Sequence, residues 1–352
     1  MSADYDSVLV LSFGGPEAPE DVRPFLENVT RGRGVPAARL DEVEKHYLRF
    51  GGVSPINEQV RYLVSNLRAE LAARGPNLPV YQGNRNWHPL VEDTVEQMAA
   101  DGRRNALVFT TSAWGGFSGC RQYDEDIARA RASVGATRAG RGCERSVVSA
   151  PHLTKLPHYW SRPELLDAFA DGVRAAAAAV PDGSRLVFTA HSIPQAADAV
   201  AGPDGGLYSR QVRLAAAAVA ARVGVADYDV VWQSRSGPPA VPWLEPDVCD
   251  HISAIHADIP GIVVCPIGFV SDHLEVIWDL DTEARDLASE LSLPFARSAT
   301  PLYDPRFTAM AAALIRERTS GAELPPDLLG CTVDGAACVP GCCPSARPKR
   351  PA

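Results

Sequence analysis

The chain has almost no lysine: only Lys45, Lys155 and Lys349 occur in 352 residues, so its basic charge is carried by arginine. With abundant alanine and glycine, that bias reads as GC-rich coding and not as function. It has no basic surplus either. The formal net charge is −9, which argues against a general nucleic-acid binder. No apolar run approaches the roughly 20 residues of a membrane span, so no transmembrane segment is expected. The start carries Asp4 and Asp6 and lacks the basic region of an export signal, which points to a cytoplasmic protein. No G-x-S-x-G elbow accompanies the His191–Ser192 pair, so a serine hydrolase is not indicated. Disorder is excluded by composition, with 46% hydrophobic and 22% charged residues.

What is present is a chain long enough for about two domains. Short apolar runs recur at Val8–Ser12, Leu78–Gln82, Ala106–Thr111, Arg185–Ala190, Tyr228–Trp232 and Gly261–Pro266. Near-continuous apolar runs of this length suit parallel strands covered on both faces. Amphipathic stretches alternate with them, near Val60–Arg74, Leu90–Asp101, Tyr123–Ala132, Pro163–Ala179, Ser209–Val223, Val276–Leu291 and Pro305–Arg318. The alternation predicts an α/β fold of two doubly wound parallel sheets. The expected division is 1–145, 146–320 and a cysteine-rich tail, 321–352, where the periodicity stops. Ligands of such sheets bind beyond the carboxyl ends of the strands, which directs attention to the loops there.

Three constellations stand out. His191 follows an apolar strand and precedes a proline two residues on from Ser192. An imidazole there can exchange protons or ligate a metal, or it can be a hydrogen-bonded turn residue. Next, Ser271–Glu283 is rich in acids. In a helix from Glu275, the residues Glu275, Asp279 and Glu283 share one face. That ladder could pass a hydrated cation, since hard cations take oxygen ligands, or it could be a solvated helix start favoured by the dipole. Asp272 and His273 add two more ligating or proton-carrying groups. The third is the tail. Of eight cysteines, four fall in the last 22 residues: Cys331, Cys338, Cys342 and Cys343. Clustered thiols in a reducing compartment suit zinc or an iron–sulfur cluster better than disulfides, and incidental thiols on a tail are the alternative. Cys249 and Cys265 sit in regular segments and read as packing residues.

These pieces occur in an order with a known counterpart. Leu11–Ser12–Phe13–Gly14–Gly15–Pro16–Glu17, Gly51–Gly52–Val53–Ser54–Pro55, Thr189–Ala190–His191–Ser192–Ile193–Pro194, Trp232–Gln233–Ser234, Trp243–Leu244–Glu245–Pro246–Asp247 and Gly268–Phe269–Val270–Ser271–Asp272–His273–Leu274–Glu275 follow one another. From about Val8 to Arg318 the chain resembles the ferrochelatase family, most closely its actinobacterial coproporphyrin branch. The resemblance implies two similar Rossmann-like domains with a porphyrin cleft between them, and insertion of Fe²⁺ with release of two pyrrole protons. It implies that His191 and Glu275 are catalytic and iron-facing, on opposite sides of the porphyrin, with Asp279 and Glu283 as an iron relay. It places Phe13, Arg31, Arg49, Ser54 and Tyr123 near the substrate. The family often has a tyrosine at Phe13, and a phenyl ring can pack on a macrocycle but cannot ligate iron.

The resemblance also implies a [2Fe–2S] cluster with one body cysteine, Cys120, and three from the tail. Those are Cys331, Cys338 and either Cys342 or Cys343. The substrates would be a porphyrin and Fe²⁺, the protein a monomer, and the preceding and following haem-pathway enzymes its candidate partners. Alternatives are a protoporphyrin IX ferrochelatase, a cobalt or nickel chelatase of the same fold, a non-catalytic porphyrin or haem carrier, and a redox protein using the tail alone.

Overall fold

The structure, a computed structural model, describes residues 4–32, 34–134, 149–237, 240–321 and 341–344. They form two compact units. The first runs to Thr111, resumes at Tyr123–Leu156 and takes the last helix from Thr308 on. The second takes Ser112–Gln122, Pro157–Phe307 and tail residues 341–344.

In the first unit, β1 (Ser7–Ser12) lies between β2 (Val80–Asn84) and β3 (Asn105–Thr110), and β3 pairs with β4 (His152–Lys155). All pairings are parallel, with Val8 opposite Val80 and Val10 opposite Phe109. Every residue of β1 is buried. A strand covered on both faces has no polar side to alternate with, which is why its sequence is almost uninterruptedly apolar. Helices α1 (Val22–Val29), α2 (Ala37–Arg49), α3 (Ile56–Arg74), α4 (Val91–Ala100) and α5 (Gln122–Ser133) complete the unit.

The second unit repeats the plan. Here β5 (Arg185–His191) lies between β6 (Tyr228–Gln233) and β7 (Ile262–Cys265), and β7 pairs with β8 (Phe295–Arg297). All are parallel. Numbered within each half, the strand order 2-1-3-4 is the same in both sheets, as two Rossmann-like domains require. Helix α6 (Pro163–Ala177) starts with proline at its first position, where the missing N–H has no intrahelical partner to lose. The short α7 (Gln195–Ala199) precedes α8 (Leu207–Val223), which stops at Gly224 in the left-handed conformation, φ +74°. In α9 (Val248–Ile255) the Asp247 carboxylate caps the Cys249 N–H at 2.8 Å. Val187, Val231, Val264, Ile252, Val276 and Leu280 form a continuous core here.

The alternating pattern misses β4, β8, α1 and α2. β4 has one apolar residue in His-Leu-Thr-Lys, β8 is three residues long, and in α2 only Leu40 is buried. β4, β8 and α2 offer no apolar run or wide apolar face; α1 buries Val22, Phe25 and Leu26, and α9, also missed, buries Val248 and Ile252, but each is only eight residues long. β4 also lies beyond the expected division at residue 145, yet it pairs with β3, so the first sheet extends past that point.

Each sheet has its switch point between its first and third strands. In the second, the switch lies between β5, which ends in His191, and β7, which leads into Pro266–His273. Gly268 sits against the end of β5. A Cβ there would come within 2.5 Å of Ala190 Cβ and 2.7 Å of Ala190 Cα. Gly268→Ala should therefore lower unfolding stability by about 1–3 kcal/mol, the usual cost of overpacking, as measured by urea denaturation. Ala substitution at Gly224, whose Cβ would meet nothing within 4 Å, serves as a control for backbone strain alone.

Candidate active site

His191 is the last residue of a strand whose preceding five residues are buried. Its main-chain carbonyl accepts a hydrogen bond from Tyr208 Oη at 3.0 Å, and its Nδ1 lies against the Ser192 carbonyl. A carbonyl only accepts, so Nδ1 donates this bond and Nε2 is the ring nitrogen left toward Glu275. Ser192 is itself pinned, with its N–H on Gln233 O at 2.7 Å and its hydroxyl on Leu244 O at 2.8 Å. The free Nε2 stands 3.8 Å from Glu275 Oε2.

Glu275 comes from the neighbouring strand's loop. It is the second residue of α10 (Leu274–Trp278), after the N-cap His273. The same helix winds on through a π-helical turn, Asp279–Ala284, into α11 (Arg285–Glu290). The continuous α-helix expected over Val276–Leu291 is thus interrupted by i→i+5 bonding, a local distortion frequent at functional sites. His273 packs edge-on against Phe269 at 5.4 Å. Desolvation pushes its pKa down, His191 adds to this and Glu275 opposes it, so His273 is held neutral.

Asp279 is buried beneath this pair. Its Oδ2 accepts from the Ser234 hydroxyl and from Gln233 Nε2, the latter at 3.2 Å. Burial, reinforced by the carboxylates of Glu275 and Glu283, pushes its pKa up to about 8, against the lowering effect of the two donors. The carboxyl is therefore protonated at neutral pH. Ser234 makes its contact from a left-handed backbone, φ +62°. A non-glycine residue held there costs about 1–3 kcal/mol and persists where surrounding structure enforces it. Glu283 is exposed, Asp279 buried and Glu275 half-exposed, so burial along the three acids peaks at the middle one.

Atoms contact an aromatic plane at about 3.5–4 Å on each side, so groups flanking a macrocycle stand roughly 7 Å apart, whereas His191 and Glu275 stand 3.8 Å apart.

The other expected residues lie as follows. In the first unit, Phe13, Arg31 and Arg49 are exposed. Ser54 is buried against Gly15, where a Cβ would come within 2.6 Å of it, and its N–H bonds Pro16 O at 2.8 Å. Tyr123 is buried under the Arg85 guanidinium, 4.3 Å from the ring centre, and Arg85 also pairs with Asp126.

In the second unit, Cys120 lies in the turn Phe117–Arg121, its Sγ 3.1 Å from His158 Nε2. Buried Cys343 packs with Cys120, Ala201 and Leu207. Its sulfur receives the Gly202 N–H at 3.3 Å and lies 3.7 Å from Cys342 Sγ. Hydrogen bonding from Cys120 pulls the Cys343 pKa down to about 6 against desolvation, whereas Cys342 is pushed up to about 11, chiefly by desolvation. Cys331 and Cys338 lie outside the described residues, and among those described no three His, Cys, Asp or Glu side chains form a ready metal site. Cys249 and Cys265 are packing residues, with burial raising both thiols to about 12.

Gln233 and Ser234 were legible as part of a motif but not as the donors that hold Asp279. The signal was their place at the end of β6. His158 offered no signal, since nothing in sequence links it to Cys120. Among the described residues no helix is long and apolar enough to cross a membrane.

Comparison with known proteins agrees with this geometry. The family model described as Ferrochelatase matches residues 5–319. Coproporphyrin III ferrochelatase of Nocardia farcinica is 59% identical, covering 97% of this chain and 98% of its own length. That of Mycobacteroides abscessus is 56% identical over 96% and 98%. Among solved structures, SirB from Bacillus subtilis with Fe³⁺ aligns with a TM-score of 0.55 at 12% identity, covering 90% of this chain and 97% of that one, a likeness of fold. The chain belongs to the ferrochelatase family.

Asp279 gives a pH test. Its pKa is raised to about 8 in the folded state, against 3.8 for an ordinary aspartate. Between those values the unfolded chain binds fewer protons than the native one, so this residue makes stability fall as pH rises. Asp279→Asn removes the dependence. Its Tm should gain on the parent protein from pH 5 to pH 8, read by thermal denaturation at several pH values.

Proposed function

We propose that the chain inserts Fe²⁺ into coproporphyrin III in haem synthesis. The observation that carries this is His191 Nε2 standing 3.8 Å from the Glu275 carboxylate at the switch point of a doubly wound sheet. Insertion breaks two pyrrole N–H bonds and forms metal–nitrogen bonds, so two protons leave as a dication enters. His191 Nε2 accepts a proton, and the adjacent carboxylate stabilises the imidazolium that results. His273, neutral and close by, is a second acceptor. Glu275 presents oxygen to the incoming cation, as hard metal ions prefer. Asp279 and Glu283 offer the oxygens along which the ion moves inward.

Phe13, Arg31, Arg49, Ser54 and Tyr123 serve the porphyrin. The exposed guanidiniums pair with propionates, Phe13 packs on the macrocycle, and buried Ser54 and Tyr123 hold the surrounding loops and Arg85. Four propionates on coproporphyrin, against two on protoporphyrin, give polar anchors their selectivity. The protein works in the cytoplasm as a monomer, receiving its porphyrin from the preceding haem-pathway enzyme and passing product to the next.

Anaerobic Fe²⁺ insertion into coproporphyrin III should exceed that into protoporphyrin IX in kcat/KM. Faster turnover of protoporphyrin would overturn the substrate assignment. His191→Ala should lose about 10²–10⁴ in kcat, the usual contribution of a positioned proton acceptor. A folded His191→Ala variant with normal turnover would leave a carrier or a different base.

A [2Fe–2S] cluster fits the cysteine region on the chemistry of its donors. Thiolates are the ligands, and Cys343 is the thiol whose surroundings favour the ionised form. Cys120, Cys343, Cys331 and Cys338 would hold the group; the Gly202 N–H lies on Cys343 Sγ and His158 Nε2 on Cys120 Sγ. When bound, the cluster supplies a one-electron redox centre and a cross-link between tail and body. Anaerobically purified Cys120→Ser and Cys343→Ser should lose visible absorbance and acid-labile sulfide, while Cys342→Ser retains both. Loss only in Cys342→Ser would reverse the choice between the two.

A further inference from the structure

Arg297 ends β8, in register with Val264 of β7, and the next residue returns a main-chain bond from Ser298 N to Val264 O at 2.9 Å. Its root is thus fixed to the sheet. Its side chain is only 13% exposed and meets two carboxylates at once. Nη1 donates to Asp272 Oδ1 at 2.9 Å. Nε donates to Asp281 Oδ1 at 3.0 Å, with Nη2 2.8 Å from Asp281 Oδ2. Asp281 also accepts from Arg285 Nη2 at 2.8 Å.

The two acids bracket the reactive segment. Asp272 immediately precedes His273 and stands three residues before Glu275, and Asp281 lies inside the π-helical turn. Between them, the helix is anchored in the core by Val276 and Leu280, but His273 and Glu275 stand at its N-cap and second residue, the end whose N–H groups have no intrahelical partner. Something other than local helix propensity must fix where Glu275 points. The guanidinium is suited to this, because its planar fork can bind one carboxylate along each of two edges. A lysine ammonium offers one compact charge.

We propose that Arg297 is a positioning residue for metal insertion: by bridging Asp272 and Asp281 it locks the segment that sets His273 and Glu275 beside His191. This rests on the insertion activity proposed above. Displacement of a reacting group by about 1 Å is enough to cost about 10²-fold in rate, so loss of the brace should appear in kcat and leave porphyrin binding alone.

The test is anaerobic Fe²⁺ insertion into coproporphyrin III by the full chain and by Arg297→Gln, Arg297→Lys and Asp272→Asn variants. Near-UV circular dichroism confirms folding. For Arg297→Gln, kcat should fall at least about tenfold with porphyrin KM unchanged, and Arg297→Lys should recover part of the loss. Asp272→Asn should lower kcat as well. Combined with Arg297→Gln it should add little, as coupled partners do. A smaller fall in kcat, a matching rise in porphyrin KM, or full additivity of the two changes overturns the proposal. Should Arg297→Gln fail to fold, Asp272→Asn decides: an unchanged kcat overturns the brace, and a fall of about fivefold or more with KM unchanged supports it. An unmodified protein that inserts no iron overturns the functional reading itself and this inference with it. An active one with insensitive variants overturns only the brace.

Discussion

The close approach of Gly268 to Ala190 governs the second unit's chemistry. Two parallel strands, β5 and β7, run side by side and end at the same edge of the sheet. One delivers His191 directly. The other delivers a loop that must turn tightly over its neighbour before it can present His273 and Glu275. With no Cβ at Gly268, the loop lies on the strand end, where its own N–H bonds Thr189 O at 3.0 Å and its carbonyl accepts from Trp114 Nε1 at 2.9 Å. The 3.8 Å separation of imidazole and carboxylate is a product of that contact. So is the burial of Asp279, which lies one helical turn further along the same segment.

Around this contact, charge is handled in two opposite ways. Asp279 is kept neutral by burial and by like charges, and its polar neighbours only soften the effect. Asp272 and Asp281 are satisfied by Arg297. A protonated acid and paired acids thus flank one half-exposed carboxylate. Glu275 is set apart from its neighbouring carboxyl groups by environment alone.

Much of this was legible in the sequence, for physical reasons that differ by element. The six longer strands were readable because a strand buried on both faces cannot hide its apolar run. His191 and Glu275 were readable because the ends of such strands are where ligands bind and because their motifs stand in a familiar order. β4, with one apolar residue, and β8, with three residues in all, carry no such signature. The π-helical turn was not legible either. Its sequence, Asp-Leu-Asp-Thr-Glu-Ala, suits an ordinary helix, and the i, i+4 burial of Leu280 and Ala284 does not mark the wider winding. Residues that act through others were hardest to see. Arg297 has no motif around it, and the pairing of His158 with Cys120 spans 38 positions.

The interleaving of the two units has a consequence for how the chain emerges from the ribosome. The second unit takes Ser112–Gln122 from within the first, and the first takes the helix from Thr308 on, after the body of the second. Domains made of one continuous stretch can fold in order as they are synthesised. Here the first unit is incomplete until its helix beyond Thr308 has been made, so it cannot finish folding before the body of the second has also been synthesised.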